Sequence, residues 1–168
     1  MMWTRFVLAL LCAAGLGSPV GRALEPAAAR HTPRFDLRLL DGKSVSTSSL
    51  SAKVAVIDFW GTWCRPCLAE IPEYNDFYRH YKDRGVIFIA VAFDSGSEAD
   101  VRAAVKRLKI EYPVAAPSLK ELDAFGDIMA VPTTWVIDKS GLIVKEFLGA
   151  SPGKHKALNE LVERLTAR

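Results

Sequence analysis

The feature that most constrains the fold is a pair of apolar runs separated by an amphipathic stretch. Residues 53–60 (KVAVIDFW) and 86–93 (VIFIAVAF) are almost continuously apolar, which is typical of strands covered on both faces. Between them, apolar side chains recur every three or four positions from Leu68 to Tyr81, and Gly85 follows as a stop signal. The pattern predicts a strand, a helix and a second strand, with parallel strands and a right-handed crossover.

The segments on either side of this unit predict further strands and helices. FDLRLL meets the turn signal Asp41–Gly42, and TTWVID and LIVKEF flank residues 139–141 (KSG), so two antiparallel hairpins are expected. Helices are predicted to follow Ser97 and Ser118, each with an acidic residue three positions on, and to open at Ser151–Pro152. The expected architecture is α/β, with a mixed central sheet flanked by helices.

The amino terminus predicts export. Arg5 precedes the apolar stretch FVLALLCAAGLG, and residues 21–23 (GRA) place small residues at the −3 and −1 positions, as in a signal peptide over residues 1–23. The stretch is shorter than the about 20 residues that span a bilayer, which disfavours the alternative, an uncleaved membrane anchor. Residues 24–33 are predicted to be an unstructured linker, and residues 34–168 one domain with a single core.

The charge pattern argues against one class of partner. The net charge is only +3, and the lysines and arginines are scattered without a basic run. Nucleic-acid binding is therefore not expected.

Cys64 and Cys67 stand three positions apart, where the first buried strand ends and the helix begins. The first turn of a helix has unpaired N–H groups and a positive dipole end, which stabilise a thiolate, the nucleophilic form of cysteine. Cys67 lies one turn further on, where it can attack a mixed disulfide formed on Cys64. Pro66 suits the first turn because its missing N–H is not needed there. Loss of the leader would remove Cys12 and leave this pair alone in oxidising surroundings.

Metal binding is an alternative use of such a pair. Zinc sites usually bring a second cysteine pair or a histidine pair, and His31, His80 and His155 have no motif spacing to the cysteines. We therefore predict no metal site and no cofactor. An inert staple is also disfavoured, because closing so short a loop removes little chain entropy. A copper-handling thiol protein stays open, although no His or Met is placed to assist.

The motifs DFWGTWCRPC with EIP, and VPTTWVID followed by KSG and LIV, resemble the thioredoxin superfamily. Within it, the chain resembles the exported TlpA/ResA-like thiol-disulfide oxidoreductases, a group that includes cytochrome c maturation reductants. The resemblance covers about residues 34–166. It implies a thioredoxin-like fold with an N-terminal hairpin and a central insertion at about residues 94–112.

The resemblance also implies a function. The protein is expected to reduce disulfides in partner proteins such as apocytochrome c or metal-site proteins, and to be recharged by a membrane electron donor. Its expected location is periplasmic or otherwise extracytoplasmic. A thioredoxin-fold binding module whose cysteines are incidental is the remaining alternative.

Several site residues follow from the resemblance. Cys64 corresponds to the attacking cysteine and Cys67 to the resolving cysteine of a redox disulfide, and Pro132 to the cis-proline that faces them. The residues expected around the substrate are Trp63, Arg65, Pro66, Val131, Pro132 and Thr133. Trp60 and Trp63 are expected to pack around the cysteines.

Two carboxylates complete the predicted site. Asp58 interrupts an apolar strand, where a charge is costly unless it has a use. A buried carboxylate has a raised pKa and can take the proton of Cys67; the alternative is an Asp that faces a solvent pocket. Glu70 matches an active-site glutamate of ResA-like reductants, whereas helix spacing alone makes it an ordinary surface charge.

Arg65 leaves the direction of the reaction open. It departs from the residue types associated with those reductants. A cation between the cysteines stabilises the reduced thiolate and makes the couple more oxidising. If Arg65 points to solvent, this effect is screened.

Overall fold

Eight strands form a six-stranded mixed sheet and a separate hairpin in the computed structural model, which describes residues 29–126 and 128–167. The strands are β1 (Arg30–His31), β2 (Asp36–Arg38), β3 (Ser44–Ser46), β4 (Val54–Trp60), β5 (Val86–Ala92), β6 (Val114–Ala115), β7 (Thr133–Ile137) and β8 (Leu142–Leu148). The helices are α1 (Arg65–Tyr81), α2 (Glu98–Leu108), α3 (Leu119–Leu122) and α4 (Lys154–Thr166). No helix within these described ranges is long and apolar enough to cross a membrane.

The order of the large sheet is β1-β8-β7-β4-β5-β6. β4 and β5 pair in parallel along their whole length, from Val54 opposite Val86 to Trp60 opposite Ala92. β7 pairs antiparallel with both β4 and β8. The predicted strand–helix–strand unit, the mixed sheet and the β2–β3 hairpin are therefore confirmed.

Each face of the sheet has its own apolar core, since successive side chains of a strand point to opposite faces. Val56 and Trp60 of β4 lie in the core beneath α1 and α4. Ile57 and Phe59 lie in the other core, which the hairpin and the segment around Phe125 cover. β4 is buried on both faces, which explains its continuous apolar run.

The helix starts follow the predicted caps, with one exception. Ser97 and Ser118 form capping boxes with the acidic residue three positions later. The last helix does not open at Ser151–Pro152 but at Lys154, because the chain turns at Gly153, whose φ is 82°. This shift places Lys154 in the first turn of α4.

The signal peptide predicted for residues 1–23 lies outside the described residues, and the linker prediction is wrong at its end. Arg30–His31 form β1, which pairs with the open edge of β8. The Arg30 guanidinium lies 4.6 Å from the centroid of the Trp135 ring. The unpaired edge of an exposed strand offers hydrogen-bonding groups to any neighbouring segment, and β1 pairs with those of β8.

The range predicted for the central insertion, residues 94–112, contains α2. The chain then returns to the sheet as β6, which pairs in parallel with β5 and extends the sheet by one edge strand.

Replacing Leu158 by Ala tests the packing of α4. Leu158 is fully buried in the α1/α4 core, so we expect the free energy of unfolding to fall by about 2–5 kcal/mol in denaturant titrations. Leu161→Ala, on the partly exposed side of the same helix, is the matched control and should lose less. Equal losses would contradict the described orientation of α4.

Candidate active site

The two cysteines form a disulfide at the start of α1. β4 ends at Trp60, three residues turn the chain, and Cys64 then caps the helix by accepting the N–H of Cys67 on its Sγ at 3.3 Å. Both cysteines are almost fully buried. The sulfur of Cys64 therefore sits where helix N–H groups and the helix dipole stabilise negative charge.

The loop before β7 faces this disulfide. The Val131 carbonyl oxygen lies 3.7 Å from Cys64 Sγ. The Val131–Pro132 peptide bond is cis, as the resemblance implies. Thr133 is buried and its hydroxyl donates to the carbonyl of Ala130 at 2.7 Å, so that hydroxyl is engaged within the loop. Of the three residues predicted here, Val131 makes a contact with Cys64 through its carbonyl oxygen.

The segment between β4 and α1 is tied to the chain that follows β5. The Trp63 indole N–H donates to the Asp94 carbonyl at 2.8 Å, and the Thr62 N–H donates to the Ser95 hydroxyl at 3.0 Å. The Trp63 side chain lies across Gly61, where an added Cβ would come within 2.9 Å of the ring. Trp63 is nevertheless 58% exposed and presents an apolar surface beside the disulfide.

The remaining residues predicted near the cysteines fall into two groups. Trp60 is buried in the same apolar cluster as Cys64 and Cys67, which confirms that it packs with them. Arg65 and Pro66 are exposed in the first turn of α1. The charge of Arg65 is therefore largely screened by solvent.

Asp58 is buried behind the cysteines. It shares a strand face with Val56 and Trp60, which belong to the cluster that contains Cys67 and Tyr74. Asp58 Oδ1 accepts hydrogen bonds from Tyr74 (3.0 Å) and from Thr134, its cross-strand partner (2.8 Å). No donor from the described residues reaches Oδ2. The interpretation of Asp58 as facing a solvent pocket is wrong, since 3% of the residue is exposed.

Burial raises the pKa of Asp58 from its ordinary value of 3.8 to about 6. The positive charge of Lys154 and the hydrogen bonds from Thr134 and Tyr74 oppose this rise, and the negative charge of Glu70 adds to it. A carboxyl group with this pKa exchanges protons readily near neutral pH.

Glu70 is buried and paired, so the interpretation as a surface charge is wrong. Its Oε2 accepts a hydrogen bond from Lys154 Nζ at 3.0 Å, and its Oε1 lies 3.3 Å from His155 Nε2. Burial pushes its pKa upward, but the contacts with His155 and Lys154 outweigh this and hold the pKa below its ordinary value. Glu70 is therefore a carboxylate near neutral pH.

Sequence reasoning missed four polar residues of this region: Tyr74, Thr134, Lys154 and His155. Tyr74 fits the apolar stripe of α1, and Thr134 fits a strand, so both were predicted only as structural residues. One signal was present, because Tyr74 follows Cys67 by seven positions, which is two helical turns on the same face. No sequence pattern distinguishes Lys154 and His155 from solvent-facing residues of a first helical turn.

A buried disulfide at a helix start, opposite a cis-proline and above a buried carboxyl group, defines a thioredoxin-like dithiol oxidoreductase site. The Redoxin family model matches residues 26–162, and the chain belongs to that family. The thiol-disulfide oxidoreductase ResA of Bacillus subtilis (strain 168) is 33% identical over 150 residues, which cover 87% of this chain and 83% of the relative.

Two further comparisons agree. A thiol-disulfide oxidoreductase ResA of Bacillus cereus is 34% identical over 120 residues, which cover 71% of this chain and 69% of the relative. A solved thiol:disulfide interchange protein of the thioredoxin family from Chlorobium tepidum TLS has a TM-score of 0.71 at 29% identity, covering 83% of this chain and 98% of the other. The chain is thus a ResA-like member of the thioredoxin superfamily and a thiol-disulfide oxidoreductase.

The raised pKa of Asp58 predicts how stability depends on pH. The folded protein keeps this proton up to about pH 6, whereas the unfolded chain releases it near 3.8, so stability falls as pH rises between these values. Asp58→Asn keeps the acceptor for Tyr74 and Thr134 but cannot ionise. We expect it to raise the free energy of unfolding at pH 8 by about 2 kcal/mol relative to its effect at pH 4. A difference between variant and wild type that is constant from pH 4 to pH 8 would contradict the assignment.

Proposed function

We propose that this oxidoreductase reduces disulfides in partner proteins outside the cytoplasm, through Cys64 as the attacking cysteine and Cys67 as the resolving cysteine. The observation that carries the proposal is the disulfide at the start of α1, with Val131 opposite and Asp58 buried on the same side of the sheet as Cys67. The similarity to thiol-disulfide oxidoreductases named ResA supports thiol–disulfide exchange, and the resemblance to exported reductants supports the reducing direction.

The first step is attack on the substrate. In the reduced protein, the Cys64 thiolate attacks one sulfur of the substrate disulfide, and the other substrate sulfur leaves as a thiolate that takes up a proton. A mixed disulfide between Cys64 and the substrate results. Trp63 and the loop around Val131 and Pro132 flank the sulfur, and they are the surfaces proposed to hold the substrate chain.

The second step is resolution. Cys67 is almost fully buried, and its thiol must lose a proton before it can attack Cys64 Sγ. Asp58 is the proposed acceptor of that proton, since its pKa of about 6 leaves most molecules ionised at neutral pH. The attack breaks the bond between Cys64 and the substrate, releases the second substrate thiolate and forms the Cys64–Cys67 disulfide.

The cycle closes when a donor supplies two electrons to this disulfide. We propose a membrane electron donor and an extracytoplasmic location, with apocytochrome c or a metal-site protein as the class of substrate. The leader-like pattern of residues 1–23 and the resemblance to exported reductants support the location.

Trapping tests the assignment of the two cysteines. Without the resolving thiol the mixed disulfide persists, so Cys67→Ala is expected to accumulate covalent complexes with partner proteins from an extracytoplasmic extract. The complexes should release their partners on addition of dithiothreitol. Cys64→Ala is the matched control and should trap few or none, because Cys67 lies inside the first turn of α1 and is proposed to act only on the mixed disulfide. Equal trapping by both variants, or none by either, would contradict the proposed roles.

The reduction potential tests the direction. We expect the Cys64–Cys67 couple to lie near −270 mV, as for a thioredoxin-like reductant. Arg65→Glu replaces a positive by a negative charge and should make the potential more negative by about 10–40 mV, since each exposed charge in the first helical turn contributes about 0.3–1 kcal/mol. Arg107→Glu, an exposed change of equal charge on α2, should leave it unchanged. A wild-type value near −120 mV would mean an oxidant and would overturn the reducing direction.

A further inference from the structure

Lys154 is a fully buried lysine beside the active-site helix. Its side chain is 0% exposed, although it occupies the first turn of α4. Lysine is almost never fully buried unless it is paired, and a cation is disfavoured at the positive end of a helix dipole. The position of Lys154 therefore depends on the anion that it meets, which is Glu70 at 3.0 Å.

The same ammonium group reaches the surroundings of Asp58. Lys154 Nζ lies 5.5 Å from the centroid of the Tyr74 ring, and the hydroxyl of that tyrosine donates to Asp58. Tyr74 thus separates Lys154 from Asp58 by a single side chain. The interior behind the cysteines holds two carboxyl groups, Asp58 and Glu70, and one lysine.

The titratable groups that face this interior come from each element packed around it. They are Asp58 on β4, Glu70 and Tyr74 on α1, Tyr112 before β6, and Lys154 and His155 on α4. His155 Nε2 lies 2.9 Å from Glu73 Oε2, at the outer side of the cluster. Burial and the charges of Asp58 and Glu70 raise the pKa values of both tyrosines, so neither ionises near neutral pH.

We propose that Lys154 is an electrostatic positioning residue for thiol–disulfide exchange: by pairing with Glu70 and placing an ammonium group beside Tyr74, it keeps Asp58 able to act as a carboxylate near neutral pH. The inference rests on the proposed function, in which Asp58 accepts the proton of Cys67. Lys154, in the first turn of α4, would thus influence the reaction of the cysteines at the start of α1.

The physical reason is the strength of charge interactions away from water. Two carboxylates in one buried space raise each other's pKa, and a cation between them lowers both. Removal of the Lys154 charge leaves Glu70 with His155 as its remaining partner, so that Asp58 meets the negative charge of Glu70 without the buried ammonium group that offsets it. Removal of the Glu70 charge leaves the ammonium group to act on Asp58 alone. The two changes therefore act on Asp58 with opposite signs.

The test is a ¹³C NMR titration of the Asp58 side-chain carboxyl carbon in the oxidised protein, in which the cysteines do not titrate. In Lys154→Met the Asp58 midpoint should rise by about one pH unit, and in Glu70→Gln it should fall. Lys154→Arg, which keeps the charge, should stay close to wild type. Lys156→Met removes the same charge from an exposed position two residues on and should leave the midpoint unchanged.

Several results would overturn the inference. They are an unmoved midpoint in Lys154→Met, shifts of the same sign in Lys154→Met and Glu70→Gln, or an equal shift in Lys156→Met. If Lys154→Met does not fold, Glu70→Gln still decides, because only a lowered midpoint agrees with the inference. The titration needs no substrate, so its outcome is separate from that of the trapping experiment, which tests the proposed function itself.

Discussion

The burial of one carboxyl group, Asp58, is the constraint on which the rest of the site depends. It lies in the middle of β4, where apolar residues on both faces give the sheet its stability, and it shares that space with Cys67 and Trp60. Hydrogen bonds from Tyr74 and Thr134 satisfy one of its oxygens without neutralising it. A buried carboxyl with a pKa of about 6 destabilises the folded protein at neutral pH, which favours the proposed role in proton transfer over a purely structural role.

Most of the fold could be predicted because its signals are local. Continuous apolar runs marked β4 and β5, helical spacing marked α1, and turn residues marked the two hairpins. The predictions that were wrong concern elements whose formation or start depends on contacts outside the local sequence. β1 forms only because β8 presents an open edge, and the last helix begins at Lys154 because Gly153 completes a turn that Ser151–Pro152 begins.

The chemistry of the site was less accessible to sequence reasoning. The cysteine pair and Asp58 stand out because their residue types conflict with their surroundings in the chain. Glu70 and Lys154 do not, since a Glu within a helix and a Lys in a first turn are ordinary surface residues. Their burial follows from the packing of α4 against α1, which brings together residues 84 positions apart. A contact between two residues so far apart in the chain produces no recognisable pattern in the sequence of either segment.

The most direct test of the account is the pH dependence of the resolving step. The reduced protein is mixed with a small disulfide, and formation of the Cys64–Cys67 disulfide from the mixed disulfide is followed by stopped-flow tryptophan fluorescence from pH 5 to pH 9. If Asp58 accepts the proton of Cys67, the wild-type rate rises through an inflection near pH 6, and Asp58→Asn lacks this inflection and resolves more slowly at pH 7. Identical profiles for the two proteins would contradict the account.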